Sequence, residues 1–181
     1  MMSGRAVFLD RDGVLNEAIL RDGRPYPPQS VEELRPISDA AEALAQLKVA
    51  GFELIVVTNQ PDVARGTQSR AAVEAMNAVL SATLPIDEFC VCFHGDTDHC
   101  NCRKPKPGLL EDAAIRRGID LRRSFMIGDR WRDIDAGAAA GCRTILIDRQ
   151  YRERAPDHVP DCRVPSLTAA VSWILAITQQ A

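Results

Sequence analysis

Asp10 and Asp12 stand two residues apart at the end of a short apolar run, Ala6 to Leu9, and Gly13 follows them. The run is long enough for a buried strand, and a glycine breaks regular structure. A carboxylate at the carboxyl end of such a strand lies where open α/β sheets bind ligands. Two carboxylates this close in a shielded cleft do not both ionise freely, because like charges raise one pKa. A divalent cation relieves the repulsion. It leaves one carboxylate as a nucleophile and the other as a proton donor. Asp-x-Asp-Gly is also ordinary turn chemistry, so the pair gains meaning only from its company.

That company is Thr58, Lys104 and Asp129. Together the five are the set that phosphoryl transfer through an aspartyl phosphate requires. A phosphate ester is anionic, and an anionic carboxylate cannot approach it unaided. Mg²⁺ between Asp10, Asp129 and the phosphate oxygens cancels the repulsion. Lys104 supplies positive charge to those oxygens and Thr58 a neutral hydrogen bond. Asp12 gives a proton to the leaving alkoxide and then takes one from water. Each residue has a plainer reading: Thr58-Asn59 as turn residues, Lys104 as a solvated charge, Gly128-Asp129 as a tight turn with a helix cap. Order and placement favour the chemistry, since each sits at a predicted strand end or in the loop after one.

A second cluster is Cys92-x-His94 followed by Cys100-x-Cys102. Three sulfurs and an imidazole suit a closed tetrahedral Zn²⁺ site, which leaves no open position and is therefore structural. Adjacent thiols of a Cys-x-Cys pair are poorly placed to bridge each other. Cys90 faces the same way on a strand but lies deeper, as a core thiol. His99 is a spare candidate, read as solvated. Cys142 and Cys162 have no partner pattern. Arg103 and Lys104 follow the last ligand directly, so the loop 92–104 would hold this cationic pair in place.

The elements that must position these groups alternate. Apolar runs at 6–9, 54–57, 89–93, 125–127 and 144–147 predict strands. Between them, Ala41, Leu44 and Leu47 (capped by Ser38), Val73, Met76 and Leu80 (capped by Ser69), Leu110, Ala113 and Ala114 (with Pro107 in the first turn), and 131–141 predict helices. A last helix over about 166–178 starts at Ser166. Continuous apolar strands alternating with amphipathic helices predict a doubly wound parallel sheet covered on both faces. Its strand ends share one edge, where Asp10, Thr58, His94 and Asp129 converge. The stretch 17–36, with four prolines from Pro25 to Pro36, reads as a loop near the site, and 149–160 as a linker.

The chain of 181 residues predicts a single domain of residues 1–181, and 46% hydrophobic residues allow a full core. A net charge of −3 with no basic run, and only 5% aromatics, argue against nucleic acid. No apolar stretch reaches the ~18 residues that span a bilayer. The N-terminus runs straight into the first strand, which leaves no room for a signal peptide. The expectation is a cytoplasmic monomer with reduced thiols, acting on a small phosphorylated metabolite.

Four stretches resemble the motifs of haloacid dehalogenase-type phosphatases: Phe8-Leu9-Asp10-Arg11-Asp12-Gly13, Val57-Thr58-Asn59-Gln60, Arg103-Lys104-Pro105 and Ile127-Gly128-Asp129-Arg130. The resemblance runs from Val7 to about Asp148. The subgroup it is most similar to is the D-glycero-D-manno-heptose 1,7-bisphosphate 7-phosphatases, with histidinol phosphatases nearby. It implies a fold without a large cap domain, with Asp10 as nucleophile and Asp12 as general acid/base. It implies Mg²⁺ held by Asp10, the Asp12 backbone carbonyl and Asp129, supported by Asp133. Thr58, Asn59, Gln60, Arg103, Lys104 and Arg130 become phosphoryl or substrate contacts. The subgroup's zinc loop matches Cys92, His94, Cys100 and Cys102. Its Thr-Asn-Gln-x-x-x-Ala-Arg-Gly run matches through Gly66, which aims Arg65 at a second anionic group of a bisphosphate. The stretch 21–28 is longer than this subgroup leads one to expect.

Other classes fit less well. A receiver-type signalling domain would carry an acidic pair on its first strand and the accepting aspartate on a later one. Here the third strand ends in a Cys/His cluster. A zinc-dependent interaction module leaves Asp10, Asp12 and Asp129 unexplained. A P-loop nucleotidase needs Gly-x4-Gly-Lys-Ser/Thr, which is absent. Histidinol phosphatase remains the alternative within the enzymes.

Overall fold

Ala6–Leu9 forms β1, buried along its whole length because strands flank it on both sides. The structure, a computed structural model, describes residues 4–179. After β1 come a hairpin of β2 (Ile19–Arg21) and β3 (Arg24–Tyr26), then α1 (Ala40–Val49), β4 (Glu53–Asn59), α2 (Arg70–Thr83), β5 (Glu88–Cys92) and α3 (Gly108–Arg117). A short 3-10 turn at Leu121–Arg123 leads to β6 (Phe125–Gly128), α4 (Trp131–Ala140), β7 (Arg143–Ile147), β8 (Cys162–Val164) and α5 (Leu167–Thr178).

Six strands pair in the order β5-β4-β1-β6-β7-β8, every pairing parallel. The chain leaves β1 for β4 on one side and later returns to β6 on the other. The order therefore reverses between β1 and β6, which opens a crevice at their carboxyl ends. Asp10 and Asp129 follow those two ends, and the Asp10 amide donates to the Ile127 carbonyl at 2.9 Å.

Alternation along the strands feeds two cores. Val7, Leu9, Leu54, Val56 and Ile127 pack with α1, α2 and α5. Ala6, Phe8, Ile55, Val57 and Met126 pack with α3 and α4. The doubly wound parallel sheet is as the sequence predicts.

Four details differ. The helix after Pro36 begins at Ala40 rather than after Ser38, and buries Ala40 and Ala43 instead of Ala41. Asp39 sits at its N-cap but makes no capping bond, because its carboxylate accepts from the Thr168 hydroxyl of α5. Pro107 is the N-cap of α3 and not part of its first turn. The third strand stops at Cys92, before Phe93. The stretch 17–36 is not all loop: Asp22 and Gly23, both at positive φ (51° and 77°), make a two-residue turn between β2 and β3. Among the described residues no helix is long and apolar enough to cross a membrane.

Candidate active site

Asp10, Asp129 and Asp133 bring carboxylate oxygens within 4.8 Å of one another at the crevice. Each is held by a different element: the end of β1, the end of β6, and the first turn of α4. Asp133 caps its own helix, accepting from the Arg130 amide at 3.0 Å. Its other oxygen accepts from Lys104 Nζ at 2.6 Å. Lys104 is 2% exposed, and also donates to Asp10 Oδ1 at 2.8 Å and to the Val57 carbonyl at 2.7 Å. The cluster thus holds three carboxylates and one buried ammonium, which bonds two of them.

The electrostatics follow from that imbalance. Burial first, then the charges of Asp133 and Asp12, push the Asp10 carboxyl up to about 6, against the pull of Lys104. Asp129 is raised well above the usual carboxylate range by burial and by Asp10 and Asp133, with Tyr151 and Arg130 opposing. Lys104 is held above the usual lysine value: burial works against its charge, but Asp10 and Asp133 outweigh burial.

Asp129 Oδ2 accepts from the Tyr151 hydroxyl at 2.8 Å, while Oδ1 is buried and has no hydrogen-bond partner. An orphaned carboxylate oxygen beside two more carboxylates is the donor set of a hard divalent cation. Two glycines keep the space open. A β-carbon on Gly13, at φ +90°, would collide with Asp129 Oδ2, and one on Gly128 with the Asp133 side chain. The residues present therefore fit Mg²⁺.

Asp12 lies apart from this cluster. Its carboxylate accepts from Arg11 at 2.9 Å, from Asn16 at 3.0 Å and from Gln60 at 2.8 Å. Gln60 Nε2 also bonds the Thr58 hydroxyl at 3.0 Å. Asn59 exchanges bonds with the Lys104 backbone in both directions, at 3.0 and 3.1 Å. Gln60 and Asn59 thus bond other site residues.

Cys92, His94, Cys100 and Cys102 gather into the second cluster. Separations include 3.3 Å for Cys92–Cys102, 3.8 Å for Cys92–Cys100 and 3.2 Å for His94–Cys102. Zinc–sulfur and zinc–nitrogen bonds of about 2.3 and 2.0 Å give tetrahedral edges of about 3.5–3.8 Å, so the four fit Zn²⁺. Cys90 and His99 are not in the cluster. The Cys90 thiol, pushed up to about 12 by burial and by Glu88, stays protonated.

A cleft of about 710 Å³ opens over the carboxylate cluster. Asp10, Asp12, Thr58, Lys104 and Asp133 line it, with the hairpin residues Arg24 to Pro27 and a ring of arginines. Several of those arginines are already paired. Arg65 binds Asp62 and Asp96, each at 3.0 Å. Arg103 binds Asp96 at 2.8 Å and the His94 carbonyl at 3.3 Å. Arg130 binds Glu153, its Nε at 3.0 Å.

Comparison with known proteins gives this geometry relatives. The Hydrolase_like family, HAD-hydrolase-like, matches residues 101–170. D-glycero-beta-D-manno-heptose-1,7-bisphosphate 7-phosphatase of Pseudomonas putida is 34% identical over 181 residues, 97% of this chain and 98% of the relative. The chain belongs to the haloacid dehalogenase-like phosphatases, in the family of these enzymes. The Pseudomonas aeruginosa phosphatase of the same name is 37% identical over 151 residues, 81% of this chain and 82% of its own. The crystal structure of D,D-heptose 1,7-bisphosphate phosphatase from B. bronchiseptica, complexed with magnesium and phosphate, superposes with a TM-score of 0.80. It is 30% identical and covers 99% of this chain and 100% of that one.

The phosphatase also uses residues that sequence reading passed over. The stretch 149–160, read as a linker, straps the site. Arg149 donates to the Gly13 carbonyl at 2.9 Å, Tyr151 reaches Asp129, Glu153 takes Arg130, and the Arg152 amide bonds the Gly23 carbonyl at 2.8 Å. No periodicity marks such a segment. A Tyr and alternating charges between two strands were the only signals.

Proposed function

We propose that this phosphatase hydrolyses D-glycero-D-manno-heptose 1,7-bisphosphate at the 7-phosphate, releasing heptose 1-phosphate, with Asp10 as the nucleophile. The observation that carries the reading is the continuity of the cleft. One wall holds the buried Asp10–Lys104–Asp133 cluster, and the rest is arginine-rich and wide enough for a sugar phosphate. The names of the relatives support the substrate.

Asp10 Oδ1 is bonded to Lys104, and its other oxygen takes no hydrogen bond among the described residues. That oxygen attacks phosphorus, forming an acyl phosphate on Asp10 as the ester oxygen leaves. Lys104 and Thr58 steady the phosphoryl oxygens. Asp12 protonates the departing alkoxide, then takes a proton from the water that cleaves the acyl phosphate and restores Asp10. Asp10, the Asp12 backbone carbonyl and Asp129, supported by Asp133, would hold Mg²⁺, which offsets the repulsion between carboxylate and phosphate. Cys92, His94, Cys100 and Cys102 would hold a structural Zn²⁺ that fixes the loop carrying Arg103 and Lys104. The enzyme acts as a cytoplasmic monomer on a small soluble substrate.

Histidinol phosphate would bring an ammonium group in need of a carboxylate. The outer cleft carboxylates Asp62, Asp96 and Glu153 are each paired with an arginine. The test is kcat/KM for the heptose bisphosphate against histidinol phosphate in Mg²⁺. Preference for histidinol phosphate overturns the assignment.

A further inference from the structure

Seven arginines line the cleft, and four are neutralised by carboxylates: Arg65, Arg103 and Arg130, described above, and Arg154, which binds Asp157 and Asp135. Arg24, Arg132 and Arg152 make no ion pair among the described residues. Arg132 is the most constrained of the three. It is half-buried in the first turn of α4, one residue before the cluster carboxylate Asp133. Its guanidinium lies 4.2 Å from the centroid of the Trp131 ring. The same ring takes Arg154 at 3.5 Å, and the carboxylates of Asp135 and Asp157 anchor Arg154. Arg132 is thus held in place without being neutralised.

Arg103 and Arg130 line the same cleft, so Arg132 stands on a basic wall. A half-buried cation with no carboxylate bonded to it is stabilised by an incoming anion. Arg24 and Arg152 stand on other elements of the same cleft. They are fixed relative to each other, because the Arg152 amide bonds Gly23 at the hairpin turn and the Arg152 side chain lies against that glycine.

We propose that Arg132, with Arg24 and Arg152, forms the subsite for the second, non-reacting phosphate of the substrate. The reacting phosphate is served by Lys104 and Thr58, so these three arginines have no part in that reaction centre. Guanidinium forks suit the oxygens of a phosphate dianion. The subsite rests on the bisphosphate reading and deepens it, since it names Arg132 rather than Arg65 or Arg130 as the residue that selects a bisphosphate.

The experiment measures kcat/KM in Mg²⁺ for matched pairs: heptose 1,7-bisphosphate with heptose 7-phosphate, and fructose 1,6-bisphosphate with fructose 6-phosphate. The quantity read is the bisphosphate-to-monophosphate ratio. Arg132→Ala is expected to lower that ratio at least about tenfold, the scale of one charged hydrogen-bonding partner. Arg152→Ala is expected to lower it in the same direction, and its exposed position makes misfolding no issue. A wild-type preference for bisphosphates that both variants leave within about twofold overturns the subsite alone. A wild-type ratio near one for every sugar overturns the bisphosphate reading and the subsite together.

Discussion

The Tyr151 hydroxyl donates to Asp129 Oδ2 at 2.8 Å, and it is the one hydrogen bond that the Asp129 carboxylate makes among the described residues. It leaves Oδ1 buried and without a partner. Tyr151 therefore determines which oxygen of Asp129 is left for a cation. Groups that orient a metal ligand from behind typically contribute 10–100-fold in metal affinity or activity, roughly speaking. Tyr151→Phe is expected to raise the Mg²⁺ concentration for half-maximal turnover by about tenfold or more. Turnover at saturating Mg²⁺ should fall much less. Titration of activity with Mg²⁺ checks this, and an unmoved midpoint rules out the orienting role.

Asp10→Asn separates chemistry from stability. Asparagine keeps the shape but is no nucleophile, and turnover should fall at least about a thousandfold. The same change removes one of three crowded carboxylates, while Lys104 keeps Asp133 at 2.6 Å and the Val57 carbonyl at 2.7 Å. The metal-free variant is thus expected to melt no lower than metal-free wild type. Single-turnover phosphate release and thermal melting test the two halves. Near wild-type turnover would falsify the nucleophile assignment.

What could be read in the sequence followed the length of each signal. β1, β4, β6 and β7 each contain an unbroken apolar run, and the residues that close three of those runs, Asp10, Thr58 and Asp129, reach the crevice because parallel strands end on one edge. The Cys/His cluster was legible because its members are local, Cys92 to Cys102. The hairpin was hidden by Pro25, which argues against a central strand but is tolerated in a two-stranded edge pair. Its Asp22-Gly23 turn was the signal that could have found it. Cys162–Val164 is a strand only because β7 offers it an edge, and three residues carry no period. Tyr151 and Glu153 were invisible for a different reason. Their partners, Asp129 and Arg130, lie across α4 and β7 along the chain, which no local pattern encodes.

The raised carboxyls make metal-free stability depend on pH in a definite direction. Asp10 is pushed up to about 6 and Asp129 well above its usual range, so both bind protons more tightly folded than unfolded. Their contribution to stability is fully present below the unfolded value of about 4. For Asp10 it is lost as pH rises through about 6, and for Asp129 as pH rises through its own raised value. A cation replaces the protons. The gain in melting temperature from saturating Mg²⁺ is therefore expected to be larger at about pH 7.5 than at about pH 5. The increment is the quantity to compare, because carboxyls held low elsewhere, such as Asp96 and Asp148, tilt the absolute curve the other way. An equal or larger increment at the lower pH defeats the argument.

Lys104 is anchored twice, and this fixes what zinc removal should do. From one side it follows Cys102, the last residue of the Cys/His cluster. From the other, Asn59 holds its backbone at 3.0 and 3.1 Å, and the Val57 carbonyl takes its ammonium. Among the described residues Arg103 has no such second anchor: its partners, Asp96 and the His94 carbonyl, belong to the loop 92–104 itself. Elemental analysis of protein purified without added metal should find one zinc per chain. Its removal by a chelator, or Cys102→Ser, should lower the melting temperature by several degrees or more, since structural zinc contributes folding free energy. The activity loss should then appear mainly in KM, through Arg103, with kcat largely retained because Asn59 still positions Lys104. Asn59→Ala alone should be tolerated for the converse reason. Combined with zinc removal it should cost more than the sum of the two, as expected of groups that share one partner. Strict additivity would show that the two do not act through Lys104 together, and a kcat that collapses on zinc removal alone would show that Asn59 does not suffice to position it.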